Sequence, residues 1–348
     1  MSVLTIRRPD DWHLHLRDGA ALASVVKFTA ERFGRAIVMP NLKPPVATTA
    51  AATAYQKRVL AALPKTSTFT PLMTLYLTDS TVPEEIDRAI AARCVHGVKL
   101  YPAGATTHSD AGVTDIQKTY AVLERMEKCG MPLLVHGEAA RPDVDVFDRE
   151  SVFIDETLAP LSERFPRLQV VFEHITTARA VEFVTAARDG VAATITPQHL
   201  LHNRNAIFAG GIRPHYYCLP ILKRERDRVA LVQAAVSGNP RFFLGTDSAP
   251  HERLSKEASC GCAGMFTAHA AIELYAEVFE ENGHLDRLEA FASHFGADFY
   301  GLPRHEDRIT LEREPWVVPE SYPFGAGTVV PYRAGETIAW RLAPVERA

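Results

Sequence analysis

Short apolar runs alternate with longer amphipathic stretches from Asp11 to the last fifth of the chain. The short runs are Asp11–Leu16, Arg35–Met39, Thr68–Leu75, Gly97–Tyr101, Pro132–His136, Gln169–His174, Ala192–Thr196 and Arg241–Gly245. They are apolar or β-branched and bounded by Gly, Pro or Asp, the pattern of parallel strands buried on both faces. Between them the helical period fits Ala20–Phe33, Thr48–Leu63, Pro83–Cys94, Thr114–Lys128, Ser151–Arg164, Ala178–Asp189 and Glu225–Val236. Pro83 suits a first helical position, and Gly130 and Gly190 fall where C-terminal caps belong. Further helices are expected over Ala263–Phe279 and Leu285–Tyr300, and short strands and loops in the proline-rich tail beyond Glu306.

Eight strands, each followed by a helix or a long loop, are what a closed (β/α)8 TIM barrel requires. The rival, an open doubly wound sheet, would carry a glycine-rich phosphate loop after its first strand, and none follows Leu16. No linker or repeat interrupts the chain. The expectation is one α/β domain over 1–348, with the barrel from about 11 to 303 and the tail from about 304 to 348 packed on it.

Composition narrows the function classes. The 348 residues carry 38 Lys and Arg against 42 Asp and Glu, a net charge of -4, which gives no footprint for nucleic acid or a membrane surface. No stretch approaches the roughly 20 apolar residues of a membrane helix, and the start lacks a signal-peptide core, so the cytoplasm is expected. Cys94, Cys129, Cys218, Cys260 and Cys262 are too few and too scattered for a disulfide framework. Cys260 and Cys262 have no second pair at zinc-finger spacing and read as reduced thiols.

The chemistry lies at the C-terminal strand ends. His13 and His15 stand two apart on the first strand and share a face, which turns Trp12, Leu14 and Leu16 toward the helices. Lys99 interrupts an apolar run on the fourth strand; His136, His174 and Asp247 end the fifth, sixth and eighth. Any one alone is more simply a hydrogen-bonded structural residue. In a barrel all these ends meet at one rim, where active sites are built. Four imidazoles and an ammonium need a charge sink, and a histidine–carboxylate set suits Zn²⁺ or a similar divalent ion. An ammonium cannot ligate a cation, but a desolvated lysine can lose its proton and add CO₂ to form a bidentate carbamate. His13, His15 and Asp247 would then hold one metal, His136 and His174 a second, with carboxylated Lys99 and a hydroxide between them. Glu173 should face away by alternation, and Asp18 is either a turn residue or a partner of a ligand histidine. His199 could lie near the site; His202 and His215 read as surface or supporting residues, and His269 and His294 as structural.

His13-Leu14-His15-Leu16-Arg17, Lys99, His136, His174 and Asp247 resemble the binuclear amidohydrolase superfamily. More narrowly, Met39-Pro40-Asn41, Val98–Pro102, Thr106-Thr107, Thr196–Leu200, Gly245–His251 and Cys260–Gly264 resemble the shorter bacterial and fungal type of dihydroorotase, over nearly the whole chain to about Pro303. That resemblance implies zinc-dependent, reversible hydrolysis of the cyclic amide of L-dihydroorotate to N-carbamoyl-L-aspartate in pyrimidine biosynthesis, by a homodimer. It also implies that Arg17, Asn41 and His251 hold the substrate carboxylate and that backbone groups of Leu219 and Ala263 meet the ring amides. Thr106 and Thr107 would lie on a loop that folds over the substrate, and Asp247 would carry the proton. Two alternatives remain: a hydantoinase or dihydropyrimidinase, which needs no carboxylate clamp, and a catalytically silent scaffold, which would typically have lost metal ligands.

Overall fold

A computed structural model describes residues 2–259 and 261–344. Strand β1, Val3–Arg7, lies outside the main sheet. The barrel strands follow in chain order: β2 (Asp10–Leu14), β3 (Arg35–Val38), β4 (Thr70–Tyr76), β5 (Val95–Leu100), β6 (Leu133–Val135), β7 (Val170–Phe172), β8 (Val191–Ile195) and β9 (Phe242–Leu244). All pair in parallel with their sequence neighbours. The ring closes where His15 N donates to Ser248 O and Asp247 N to His13 O, at 3.0 and 2.9 Å.

The outward side chains, among them Leu14, Val38, Leu75, Val98, Val135 and Phe172, form one apolar layer with the helices. The inward ones, Ile37, Met39, Leu72, Leu134, Val171 and Phe243, pack on Phe295–Leu302, which plugs the barrel floor. Trp12 belongs to this inner cluster and stacks on Tyr300 at 4.5 Å, so it does not face the helices as strict alternation predicts. The cause is a register irregularity between Asp11 and Leu14, which lets Trp12 and His13 both turn inward. The plug needs glycine at 296, since a Cβ there would come within 2.0 Å of the Trp12 indole nitrogen.

Most predicted helices form within a few residues of their expected bounds. Gly130 caps its helix at φ 72°, but the helix from Ala178 ends at Ala186, and Gly190 instead turns the chain into β8. The stretch from Arg149 to Arg164 is helical but carries a π-turn over Ile154–Leu158. Pro160 has no N–H to donate back to Glu156, which loosens the turn before it. The segment 263–270 is not helical; the helix begins at Ala271. Gly264 sits at φ 142°, Ala249 N donates to Met265 O, and Ser248 Oγ accepts from Thr267 N and Ala268 N, so this stretch is bound to the loop after β9. Leu285–Tyr300 is likewise broken into short 3-10, π and α turns. In the tail, β10 (Arg308–Glu312) pairs antiparallel with β1.

Candidate functional site

The strand ends converge on one buried cluster. His13 Nε2, His15 Nε2 and Asp247 Oδ1 lie 3.2, 3.3 and 3.2 Å from one another. Ligands about 2.0–2.1 Å from a tetrahedral zinc are about 3.3–3.4 Å apart, so this trio has the spacing of a metal's ligand face. Neighbouring groups set the ring tautomers. His15 Nδ1 donates to Asn41 Oδ1 at 2.8 Å, leaving Nε2 a lone pair toward the cluster. His136 Nε2 donates to the buried Glu138 Oε2 at 2.8 Å, which frees its Nδ1. His174 Nδ1 is fully buried without a partner. The His174 ring centre lies 4.8 Å from that of His13 and 4.9 Å from that of His136.

Lys99 is fully buried, and its ammonium binds the Glu173 carboxylate. The same carboxylate reaches within 3.1 Å of His13 Nδ1, so Glu173 points into the site, against expectation. Alternation fails there because β7 ends at Phe172 and His174 adopts φ 44°. Asp247, at φ 45°, and Arg17, at φ 60°, are also left-handed, and three such non-glycine residues within one site mark backbone held against its preference. Asp11 supports the cluster from below, accepting from His13 N, Thr246 N and Thr246 Oγ1.

The electrostatics suit a cation. Burial lowers His15 to about 4, and His136 and His174 are lowered too, so these imidazoles stand neutral with lone pairs available. Burial would also lower His13, but the Glu173 charge raises it to about 9; a divalent ion would displace that proton. Burial pushes Asp247 up, yet His13 and His15 hold it well below the usual carboxylate range. Burial lowers Lys99 against the pull of Glu173, the direction that favours a neutral amine. The donor set therefore fits a metal. Among the described residues the histidine and carboxylate triads are His13–His15–Asp247 and His13–Glu173–His174.

Above the cluster opens a narrow pocket lined by Arg17, Asn41, Thr106, Thr107, Leu219 and Ala263 among others. Arg17 Nε donates to Pro250 O, and its Nη2 lies 2.9 Å from His251 Nε2. That nitrogen is also 3.0 Å from Ala263 O and can serve only one of them, as acceptor from arginine or donor to the carbonyl. Asn41 Nδ2 donates to Thr107 O, tying the loop after β5 across the pocket mouth. Tyr101, Ala249 and Gly264, which lie in the family-like stretches but were given no site role from sequence, also line the wall.

Other candidates lie elsewhere. Asp18 caps the helix Gly19–Arg32 and pairs with Arg58, so it touches no ligand histidine. His199 is buried, with Nδ1 on Thr196 Oγ1 and Nε2 near Pro220 O, leaving neither nitrogen for a metal. His202 meets Tyr332, His215 meets Glu257, and His294 meets Glu289; His269 is buried in the turn that precedes the helix from Ala271. Cys94, Cys129, Cys218 and Cys262 are free thiols; Cys260 lies outside the described residues. Glu138 and Glu173 were not legible as site residues: only their places, two residues after His136 and next to His174, hinted at them.

Comparison with known proteins agrees with this geometry. Residues 10–318 match the amidohydrolase family. The dihydroorotases of Methylobacillus flagellatus and Azoarcus sp. are each 66% identical, covering 98% and 99% of this chain and 99% and 100% of theirs. The crystal structure of dihydroorotase from Campylobacter jejuni superposes with a TM-score of 0.90 at 37% identity over 98% of both chains. That of dihydroorotase in complex with 5-fluoroorotic acid from Saccharomyces cerevisiae does so at 0.90 and 33%, over 99% of this chain and 100% of the other. The L-hydantoinase of Arthrobacter aurescens, at 15% identity and a TM-score of 0.81 over 97% of this chain and 82% of its own, shares the fold alone. With its barrel, its rim of histidines and these relatives together, the chain belongs to the dihydroorotase family of amidohydrolases, metal-dependent hydrolases of cyclic amides.

Proposed function

We propose that this chain, acting as one domain, reversibly hydrolyses the cyclic amide of L-dihydroorotate to N-carbamoyl-L-aspartate in de novo UMP biosynthesis, with two zinc ions at the barrel rim. His13, His15 and Asp247 would hold one ion and His136 and His174 the other, with carboxylated Lys99 as a further ligand. When bound, the ions acidify a water and polarise the ring carbonyl. A lysine carbamate keeps one N–H, which the Glu173 carboxylate is positioned to accept. The observation that carries the reading is a ligand trio at metal spacing beneath a pocket with a basic Arg17–His251 corner.

The protein's own groups perform the rest. Arg17, with five donors in a planar fork, receives the substrate carboxylate alongside Asn41 and His251. An incoming carboxylate gives Arg17 an acceptor of its own and frees His251 Nε2 to donate. Backbone groups of Leu219 and Ala263 fix the ring, and Thr106 and Thr107 exclude water and add hydroxyl donors. Asp247, ionised at rest, takes the nucleophile's proton and returns it to the leaving ring nitrogen; protonated Asp247 runs the synthetic direction. The working form we propose is a cytoplasmic homodimer.

The test is ring opening of L-dihydroorotate, followed by loss of its ultraviolet absorbance, with zinc and bicarbonate and a chelator-treated control. Hydantoin and dihydrouracil run in parallel. Metal-dependent turnover of dihydroorotate alone supports the reading. Preference for rings without a carboxylate overturns the substrate, and no turnover with metal bound favours a silent scaffold.

A further inference from the structure

Lys256 ends the short helical turn Arg253–Lys256 after His251 and is 4% exposed. Its ammonium touches no carboxylate among the described residues. Instead Nζ donates to three backbone carbonyls: Tyr217 O at 3.0 Å, Cys262 O at 2.9 Å and Gly264 O at 2.6 Å. An ammonium has three donors, and all three are used. The carbonyls belong to two separate segments. One runs through Tyr217 to Leu219; the other carries Ala263 between Cys262 and Gly264, and Gly264 N donates back to Tyr217 O. Leu219, Ala263 and Gly264 line the pocket. The position has a cost: burial pulls Lys256 down to about 8, and the nearby Arg17 charge adds to the effect. A staple that only held loops together could have been neutral. A buried cation without a counter-ion, beside a second cation, suits a site awaiting an anion.

We propose that Lys256 is a positioning residue for substrate: it clamps the two backbone segments that meet the ring and adds positive charge to the carboxylate end of the pocket. This rests on the substrate roles proposed above for Arg17, Leu219 and Ala263. It predicts an effect on substrate affinity rather than on the chemical step, because Lys256 touches neither the ligand cluster nor the groups that move the proton.

The test compares Lys256→Met, which keeps the length but loses charge and donors, with Arg17→Met and the unaltered holoenzyme. Metal content, melting temperature, kcat and KM for L-dihydroorotate are measured on each. For Lys256→Met we expect KM to rise about tenfold or more, the scale of one charged hydrogen-bond group, with kcat within about threefold and metal content unchanged. Lys256→Arg should recover part of the loss. An unchanged KM in folded Lys256→Met, or a fall in kcat alone, overturns the proposal. If Arg17→Met raises KM while Lys256→Met does not, the pocket reading stands and this inference falls; if neither does, both fall. Should Lys256→Met not fold, Lys256→Gln, which keeps an amide donor, is judged by the same two results.

Discussion

Arg17 is held in a conformation its side chain disfavours, and one phenol helps to keep it there. Its φ of 60° places a residue with a Cβ in the left-handed region, at a cost of about 1–2 kcal/mol. Tyr55, fully buried on the helix Thr49–Ala62, donates its hydroxyl to Arg17 O. The guanidinium is fixed separately, through Nε to Pro250 O. Tyr55→Phe removes one oxygen, leaves the ring packing intact and takes the partner from a part-buried carbonyl, costing about 1–2 kcal/mol. Relaxing the backbone toward an ordinary conformation recovers part of that by releasing strain, and it moves the guanidinium. A net loss near 1 kcal/mol in carboxylate binding corresponds to a KM for dihydroorotate raised about fivefold. The chemical step is remote from this contact, so kcat should stay within about twofold. Steady-state kinetics with dihydroorotate, beside thermal melting, decide the matter. A lower melting temperature with an unchanged KM would refute the reasoning, since Tyr55 would then support the fold without aiming Arg17.

Replacing Asp247 by alanine should lower kcat by about 10²–10⁴-fold in protein that still binds metal; near-normal turnover with metal present would remove it from the proton-transfer role. Glu138→Ala should weaken metal retention about 10–100-fold in a chelator competition, because His136 loses the partner that orients it. Equal retention would show that the barrel wall alone orients the ring. Burial lowers His199 to about 4 in the folded state, so between about 6.5 and 4 the unfolded chain binds more protons there than the folded one. Stability should therefore fall as pH drops through that window, by at most about 3 kcal/mol from this residue. Denaturant titrations of His199→Gln should show a shallower fall; a slope matching the parent protein would rule His199 out as a source.

The residues of the rim cluster were legible because a barrel gathers its strand ends whatever their separation in sequence. His13, His15, Lys99, His136, His174 and Asp247 needed only the right strand count to be brought to one rim. What escaped the sequence depends on local backbone geometry that side-chain alternation does not encode. The irregular pairing of β2 turned Trp12 inward, and the left-handed backbone at His174 brought Glu173 against Lys99. The stretch 263–270 has helical composition, but its backbone is claimed by Ser248 and Ala249 across the rim. Lys256 could not be read as buried, since lysine is rarely so and its partners are carbonyls, which every residue carries.

The antiparallel pairing of Val3–Arg7 with Arg308–Glu312 bears on how the chain must be made. During synthesis β1 emerges first, and its partner follows about three hundred residues later. At roughly 5–20 residues per second, that leaves the strand without its mate for about 15 to 60 seconds. A lone apolar edge is a template for aggregation over such an interval. In β1, Arg7 and its neighbours Arg8 and Pro9 sit beside Val3, Leu4 and Ile6, a charged and proline-bearing flank that blunts the edge while it waits. Leu311→Pro, which breaks the β1–β10 pairing, should thus lower the yield of folded chain from the ribosome, because it removes the contact that ends the wait.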